Sequence, residues 1–261
     1  MSLEQARQLR AHWQQQAVIG PFVKSTDPAT LEALAAAGFD FAVIDLEHGP
    51  HDISSLGNLI RGCEASGLAP IVRVLDPNHI GRALDLGAAG VQVPHVASAA
   101  AAADAVRRAR FAPQGERGVC RFVRAAEYGG IPGSEYFRAC DDALVIAQVE
   151  GQAGIAALDD ILQVSGIDAI FVGVYDLSQS LGMTGQVTAP AVISALEDIA
   201  RRSTAAGIPV GTFIEDTDGA ARAHAAGCNY LCAGVDLEWM RAATASFVEA
   251  AHSRLNQRQS A

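Results

Sequence analysis

Apolar residues in this chain gather into short blocks, and between the blocks they recur at helical spacing. The blocks Val18–Val23, Phe41–Asp45, Pro70–Val74, Val91–Val96, Leu144–Glu150, Ala169–Val174, Val210–Ile214 and Tyr230–Val235 read as strands. The stretches Pro28–Ala37, Ile53–Ser66, Asn78–Leu86, Ala99–Arg110, Gly154–Val164, Ala191–Ala206 and Gly219–Ala226 read as helices, and a last helix runs from Glu238 to Leu255. Strands that alternate with helices form parallel sheets, and eight such units predict an α/β fold closed into a (β/α)8 barrel. Gly38, Gly67, Gly90, Gly166, Gly207 and Gly227 each stand before a strand, where a left-handed helix C-cap is expected. This cadence predicts one domain over residues 1–261. It is interrupted from Ala112 to Gly133, a Pro- and Gly-rich interval long enough to serve a site or an interface.

Several strand blocks end in side chains that packing does not require. Phe41–Ile44 runs into Asp45, Glu47 and His48, and Pro70–Val72 into Arg73. Leu144–Val149 is followed by Glu150, and Ala169–Val174 by Tyr175 and Asp176. The C-terminal ends of barrel strands carry the active sites of this fold. These endings therefore predict one shared site that holds an imidazole, an arginine and several carboxylates.

Composition narrows the chemistry. The 261 residues are close to the roughly 250 of a single barrel. A 50% apolar, 18% charged chain can bury a large core. The net charge of −10 argues against nucleic acid as a partner. No apolar run approaches a membrane span, and residues 1–16 fit an amphipathic N-terminal helix rather than a secretory leader. Cys63, Cys120, Cys140, Cys228 and Cys232 include no C-x-x-C pair and predict reduced thiols in a cytoplasmic protein. Of the 19 basic residues only Lys24 is a lysine, which leaves a Schiff-base mechanism one candidate.

Glu150 and Asp176 follow neighbouring strands, so their carboxylates would repel across one rim unless a cation lies between them. An all-oxygen pair favours Mg²⁺, Mn²⁺ or Co²⁺, with water and substrate oxygens completing the shell. His48 is the candidate general base, with Asp45 and Glu47 in its turn. Arg73 can hold a carboxylate or enolate oxygen through its planar fork. Gln148 shares a strand face with Glu150 and can orient a substrate oxygen or a water. His51 reads as a loop residue beside Pro50, and His95 as a mouth or core histidine.

The segments FDFAVIDLEHGP (Phe39–Pro50), IVRV (Ile71–Val74), LDLGAAGVQVPHV (Leu84–Val96), PQGERG (Pro113–Gly118), AQVE (Ala147–Glu150) and IFVGVYDLSQSLG (Ile170–Gly182) together resemble the HpcH/HpaI family of metal-dependent pyruvate aldolases. The likeness runs from about Ile19 to Asp236. It implies a barrel of the phosphoenolpyruvate/pyruvate type, a divalent metal on Glu150 and Asp176, His48 as proton acceptor and Arg73 as stabiliser of the pyruvate enolate. It further implies that Gln148, Gly173, Tyr175, Asp176 and Arg73 touch the oxo acid. It makes Asp85 the residue that raises the basicity of the histidine. Asp85 falls near a helix end, away from the strand C-termini, so a neighbouring subunit or a displaced helix would be needed. Asp45 is the local alternative. The resemblance also implies a homohexamer with the eighth helix exchanged between paired subunits. The chain departs from the family pattern at Val174, where proline is common, and at Gly151, where threonine is common.

The expectation is a class II aldehyde-lyase that cleaves a 4-hydroxy-2-oxo acid to pyruvate and an aldehyde. Its rivals are a Schiff-base aldolase that uses Lys24 and a barrel that binds an oxo acid without turnover. A related ester lyase acting on acyl-CoA would want a basic cluster for the phosphate tail, which the sequence lacks.

Overall fold

The structure, a computed structural model, describes residues 2–259. Eight parallel strands close in sequence order into one barrel. They are β1 (Val18–Val23), β2 (Phe41–Asp45), β3 (Ala69–Arg73), β4 (Gly90–Val93), β5 (Leu144–Val149), β6 (Ala169–Val172), β7 (Val210–Ile214) and β8 (Cys228–Val235). Twelve helices accompany them among the described residues: α1 (Ser2–Trp13), α2 (Ala29–Ala36), α3 (Ile53–Ser66), α4 (Ile80–Asp85), α5 (Ala99–Ala109), α6 (Gly133–Ala139), α7 (Gln152–Ala156), α8 (Leu158–Leu162), α9 (Val174–Ser180), α10 (Pro190–Ala205), α11 (Thr217–Ala225) and α12 (Asp236–Gln259).

Side chains alternate across each strand, and here the alternation separates two cores. Ala42, Ile44, Val72, Val91, Val145, Ile170 and Val172 face outward and pack under the helices. Phe22, Phe41, Val43, Ile71, Leu144, Ile146, Phe171, Tyr230 and Cys232 fill the interior. The same inward phase, extended to the strand C-termini, selects Lys24, Asp45, Arg73, Glu150, Gly173 and Glu215. A barrel of these strands thus brings these positions to one rim.

The opposite rim is closed by α1. Ala6, Leu9 and Trp13 belong to the interior cluster, and the Trp13 ring meets Tyr230 edge-on at 5.4 Å. Arg10 fastens the helix through Asp168 at 2.9 Å and the Asp142 carbonyl at 2.9 Å.

The boundaries depart from the sequence reading where turns begin. β4 ends at Val93 and β6 at Val172, because Pro94 and Gly173 start new backbone directions. Val174 opens α9 instead of extending a strand, and Gly154–Val164 divides into α7 and α8. The cap before β4 is Gly87, at φ 98°, whereas Gly90 is the first residue of the strand. A Cβ on Gly90 would meet Leu144 Cβ at 2.6 Å, so this glycine serves close packing. At Gly67 the expected left-handed cap is present, at φ 89°. The interval after α5 holds a 3₁₀ segment, Arg124–Gly129, and leads into α6. The five cysteines are free, all but Cys120 buried. No helix among the described residues is long and apolar enough to cross a membrane.

Candidate active site

Asp45 is the centre of the ionic network. It is wholly buried, and Arg73 grips it through Nε to Oδ1 at 2.9 Å and Nη2 to Oδ2 at 2.8 Å. Asp45 Oδ1 also accepts the backbone N–H groups of Glu47, at 3.1 Å, and His48, at 3.2 Å. Burial alone would raise this carboxyl. The Arg73 hydrogen bonds and charge, with the His48 N–H and Lys24, outweigh it and hold the pKa below the ordinary carboxylate value. Burial disfavours the Arg73 cation in turn, but Asp45, Glu47 and Glu150 more than offset this and raise its pKa. Arg73 Nη1 lies 3.1 Å from Glu47, and its guanidinium sits 4.6 Å over the Phe22 ring.

Asp45 therefore shapes the His48 turn through the backbone. The imidazole itself projects into solvent, 58% exposed, and its nearest carboxylate is Glu47, with Nε2 to Oε2 at 3.9 Å. Of the two carboxylates left open as support for His48, Asp45 thus reaches its turn through the backbone and not the ring. Asp85 is the last residue of α4 and binds Arg117, with Nη2 to Oδ1 at 2.6 Å. Helices run back from the strand C-termini, so Asp85 lies towards the opposite face of its own barrel. His51 turns away from the mouth and reaches the Val23 carbonyl at 3.0 Å.

The second half of the site lies on β5 and β6. Glu150 is buried, accepts the His95 N–H at 2.7 Å and is hydrogen-bonded by Gln148 Nε2. Gln148 is oriented from below by Gln92, at 2.6 Å, which in turn accepts from Tyr230 at 3.3 Å. Burial raises the Glu150 pKa; the Gln148 and His95 hydrogen bonds oppose this, and the nearby Asp176 charge adds to it. Gly173 is required by proximity. A Cβ there would sit 2.5 Å from Glu150 Oε2 and 3.4 Å from Gln148 Nε2. Asp176 stands in the first turn of α9, beside Tyr175, whose hydroxyl binds Glu215. That bond, with burial and the Glu215 charge, pushes the Tyr175 pKa up to about 12.

One open cavity of about 330 Å³ connects these groups. Lys24, Asp45, His48, Arg73, Gln148 and Asp176 form its polar side. Phe22, Phe171, Phe213, Val174 and Val235 form its apolar side, with Tyr175 5.9 Å from Phe213. A hollow of about 480 Å³ between α10 and α11 is larger and is lined by Glu215, but not by Asp45, His48, Arg73, Glu150 or Asp176.

A divalent cation fits the donor set. Glu150 and Asp176 offer oxygen ligands, and burial, with a smaller contribution from the Asp176 charge, disfavours the ionised form of Glu150. Among the described residues no three or more His, Cys, Asp or Glu side chains form a metal cage. Two protein carboxylates would thus leave positions for water and substrate oxygens.

His95 was legible only as a mouth or core candidate, yet it joins both halves. Its ring lies 3.0 Å from Glu47 Oε1 and 2.6 Å from Glu150 Oε1. It holds this place at φ 58°, a conformation uncommon outside glycine. Sequence reasoning also missed Phe22, Phe213 and Glu215, which period-two alternation on β1 and β7 could have assigned to the interior phase.

Comparisons with known proteins agree with the geometry. Residues 18–243 match the model of the HpcH/HpaI aldolase/citrate lyase family. The 5-keto-4-deoxy-D-glucarate aldolase of Salmonella paratyphi A is 36% identical over 88% of this chain and 90% of its own. The 2-dehydro-3,6-dideoxy-6-sulfogluconate aldolase of Pseudomonas putida is 37% identical over 76% of this chain and 78% of its own. A solved HpcH/HpaI aldolase/citrate lyase family protein from Burkholderia cenocepacia superposes with a TM-score of 0.88 at 33% identity, covering 94% of this chain and 99% of that one. With its barrel, its rim of acid–base groups and these likenesses, the chain belongs to the HpcH/HpaI aldolase/citrate lyase family and is a lyase of the aldolase type.

Proposed function

We propose that this protein is a divalent-metal-dependent aldolase that cleaves a 4-hydroxy-2-oxo acid into pyruvate and an aldehyde. The observation that carries the reading is the single cavity shared by Asp176, Gln148, Arg73 and His48, with Glu150 buried behind Gly173. Glu150 and Asp176 would hold the cation. When bound, it supplies Lewis acidity to the oxo-acid oxygens.

The remaining work falls to side chains. Arg73 has two N–H groups beyond those given to Asp45 and Glu47, and these would bind the 2-oxo oxygen as it gains negative charge. Gln148 would orient the same fragment. The C4 hydroxyl proton passes to His48, the C4–O bond becomes the aldehyde carbonyl, and the C3–C4 electron pair moves to C3 of the pyruvate enolate. Protonation at C3 then completes pyruvate. The exposed position of His48 suits a base that must exchange its proton with water. Relatives named for glucarate- and sulfogluconate-derived substrates support an acidic, sugar-derived oxo acid.

Assembly is part of the proposal. Trp239 stacks on Phe39 at 5.4 Å, yet further along α12 Met240, Phe247, Val248 and Leu255 are each more than half exposed. A second copy that receives this helix would cover them, in line with the exchanged helix that the family resemblance implies. Such packing would also decide whether Asp85 reaches a neighbour's His48.

The test is pyruvate release from a panel of 4-hydroxy-2-oxo acids, in EDTA and after addition of Mg²⁺, Mn²⁺ or Co²⁺. Cleavage that requires the cation is expected. Full turnover in verified metal-free protein would overturn the mechanism, and tight pyruvate binding without turnover would favour the non-catalytic barrel. Borohydride with pyruvate should leave Lys24 unmodified; a trapped adduct there would establish the Schiff-base rival.

A further inference from the structure

Lys24 has a place in the cavity but no task in the reaction above. It continues the inward phase of β1 beyond Phe22, and its backbone N–H is clamped by buried Asp236 at 2.9 Å. The neighbouring Ser25 N–H binds the same carboxylate at 2.9 Å, so the turn that aims Lys24 is fixed. The ammonium makes one hydrogen bond, to the His48 carbonyl at 3.1 Å. Its nearest carboxylate is Asp45, at 3.7 Å, too far for a direct bond. Asp45 cannot draw it closer, because Arg73 and two backbone N–H groups already occupy its oxygens.

An ammonium carries three donors, so Lys24 keeps two for a ligand. Arg73 is tied to two carboxylates on the β2–β3 side and its two remaining N–H groups would face the oxo oxygen, which leaves Lys24 the cavity-lining cation whose spare donors have no task. In a closed eight-stranded barrel, β1 stands opposite β5. Lys24 therefore faces the Glu150 pole from across the mouth, with His48 and Arg73 between. A substrate whose oxo-acid end is held at Glu150 and Asp176 extends its far end towards β1.

Resting on the aldolase reading, we propose that Lys24 is the specificity residue of this enzyme and binds an anionic terminal group on the aldehyde half of the substrate. Carboxylate, sulfonate and phosphate share the required chemistry: oxygen acceptors that carry negative charge. Apolar Phe213 and Val235 on the adjoining strands would flank the carbon chain that leads there.

The experiment is aldol addition of pyruvate, in the metal-loaded enzyme, to paired aldehydes: succinic semialdehyde against butanal, and glyceraldehyde 3-phosphate against glyceraldehyde. In the unmodified enzyme kcat/KM should be higher for the charged member of at least one pair, and the pair identifies which anion is preferred. Lys24→Met should lower the charged-to-neutral ratio by about 10-fold to 100-fold, and Lys24→Arg should restore most of it. Equal or reversed preference in the unmodified enzyme would overturn the inference. So would a Lys24→Met variant that loses both classes alike, which marks a structural role. Absence of addition with every aldehyde would instead sink the aldolase reading itself, and the Lys24 role with it.

Discussion

Asp45 and Arg73 are register partners on β2 and β3, and their side chains meet in a two-pronged, buried bond at the floor of the cavity. Adjacent parallel strands place paired residues on one face, so this contact follows from strand register. The pair fixes the arginine plane that the oxo acid would meet. Arg73→Lys keeps the charge but loses the fork. The expected outcome is a fall in kcat/KM of about 10²-fold or more with the fold retained, on the scale of a lost transition-state donor. Circular dichroism alongside steady-state kinetics checks both parts.

The same carboxylate sets an acid limit to stability. Its folded pKa is lowered, so its stabilising contribution is complete above the unfolded value of about 3.9 and lost as pH falls through the lower folded value. Asp45→Asn should flatten this acid loss, which sets in below the unfolded value of about 3.9. At neutral pH it should cost about 3 kcal/mol, because Arg73 stays buried without its full partner. Urea unfolding of metal-free protein at several pH values measures both effects.

Metal binding and proton transfer should separate by mutation. Glu150→Gln and Asp176→Asn are expected to lose Mn²⁺ affinity in equilibrium dialysis, with activity falling as a consequence. His48→Ala should still bind Mn²⁺ and pyruvate, yet lose about 10²- to 10⁴-fold in kcat. A His48→Ala enzyme with near-normal turnover would remove His48 from the mechanism. Single and double substitutions of Asp45 and Asp85 would show which carboxylate supports it.

Exposed apolar groups on α12 predict a mass well above the 27.2 kDa chain in light scattering. Phe247→Glu, on a residue 74% exposed in the single chain, should dissociate the assembly without unfolding the barrel. If the variant keeps the mass of the unmodified protein, α12 is not the contact.

Removing the indole of Trp13 should cost about 3–5 kcal/mol, the range for deleting a buried large aromatic. Trp13 is fully buried against Tyr230. A thermal melt of Trp13→Ala tests this, and a loss below about 1 kcal/mol would mean that α1 is not part of the core.

The eight strands were legible because inward and outward faces are both apolar and the blocks are short. Three of them, β1, β2 and β7, were read to the residue. Helix α6 is short and starts where the Pro- and Gly-rich interval ends, at Gly133, and α9 was masked because Val174 continues an apolar run. The site residues were visible as strand endings, but their partners were not. Asp45 stood as one of two candidate supports for His48, whereas its oxygens go to an arginine on the next strand and to backbone N–H groups. The His95 link between Glu47 and Glu150 spans 48 and 55 positions of chain and depends on one positive φ, for which no local pattern exists.

Because packed side chains fill the interior and α1 covers its lower end, the barrel is a cup rather than a pipe. A cup has a single opening, so reactants enter and products leave across the same lip. The loops that carry Lys24, His48 and His95, and the first turn of α9 with Tyr175, are crossed in both directions during each turnover. Changes at that lip can redirect traffic while leaving the walls intact. A deletion that removed α1 would do the reverse: it would leave every lip residue in the chain and let water into the base.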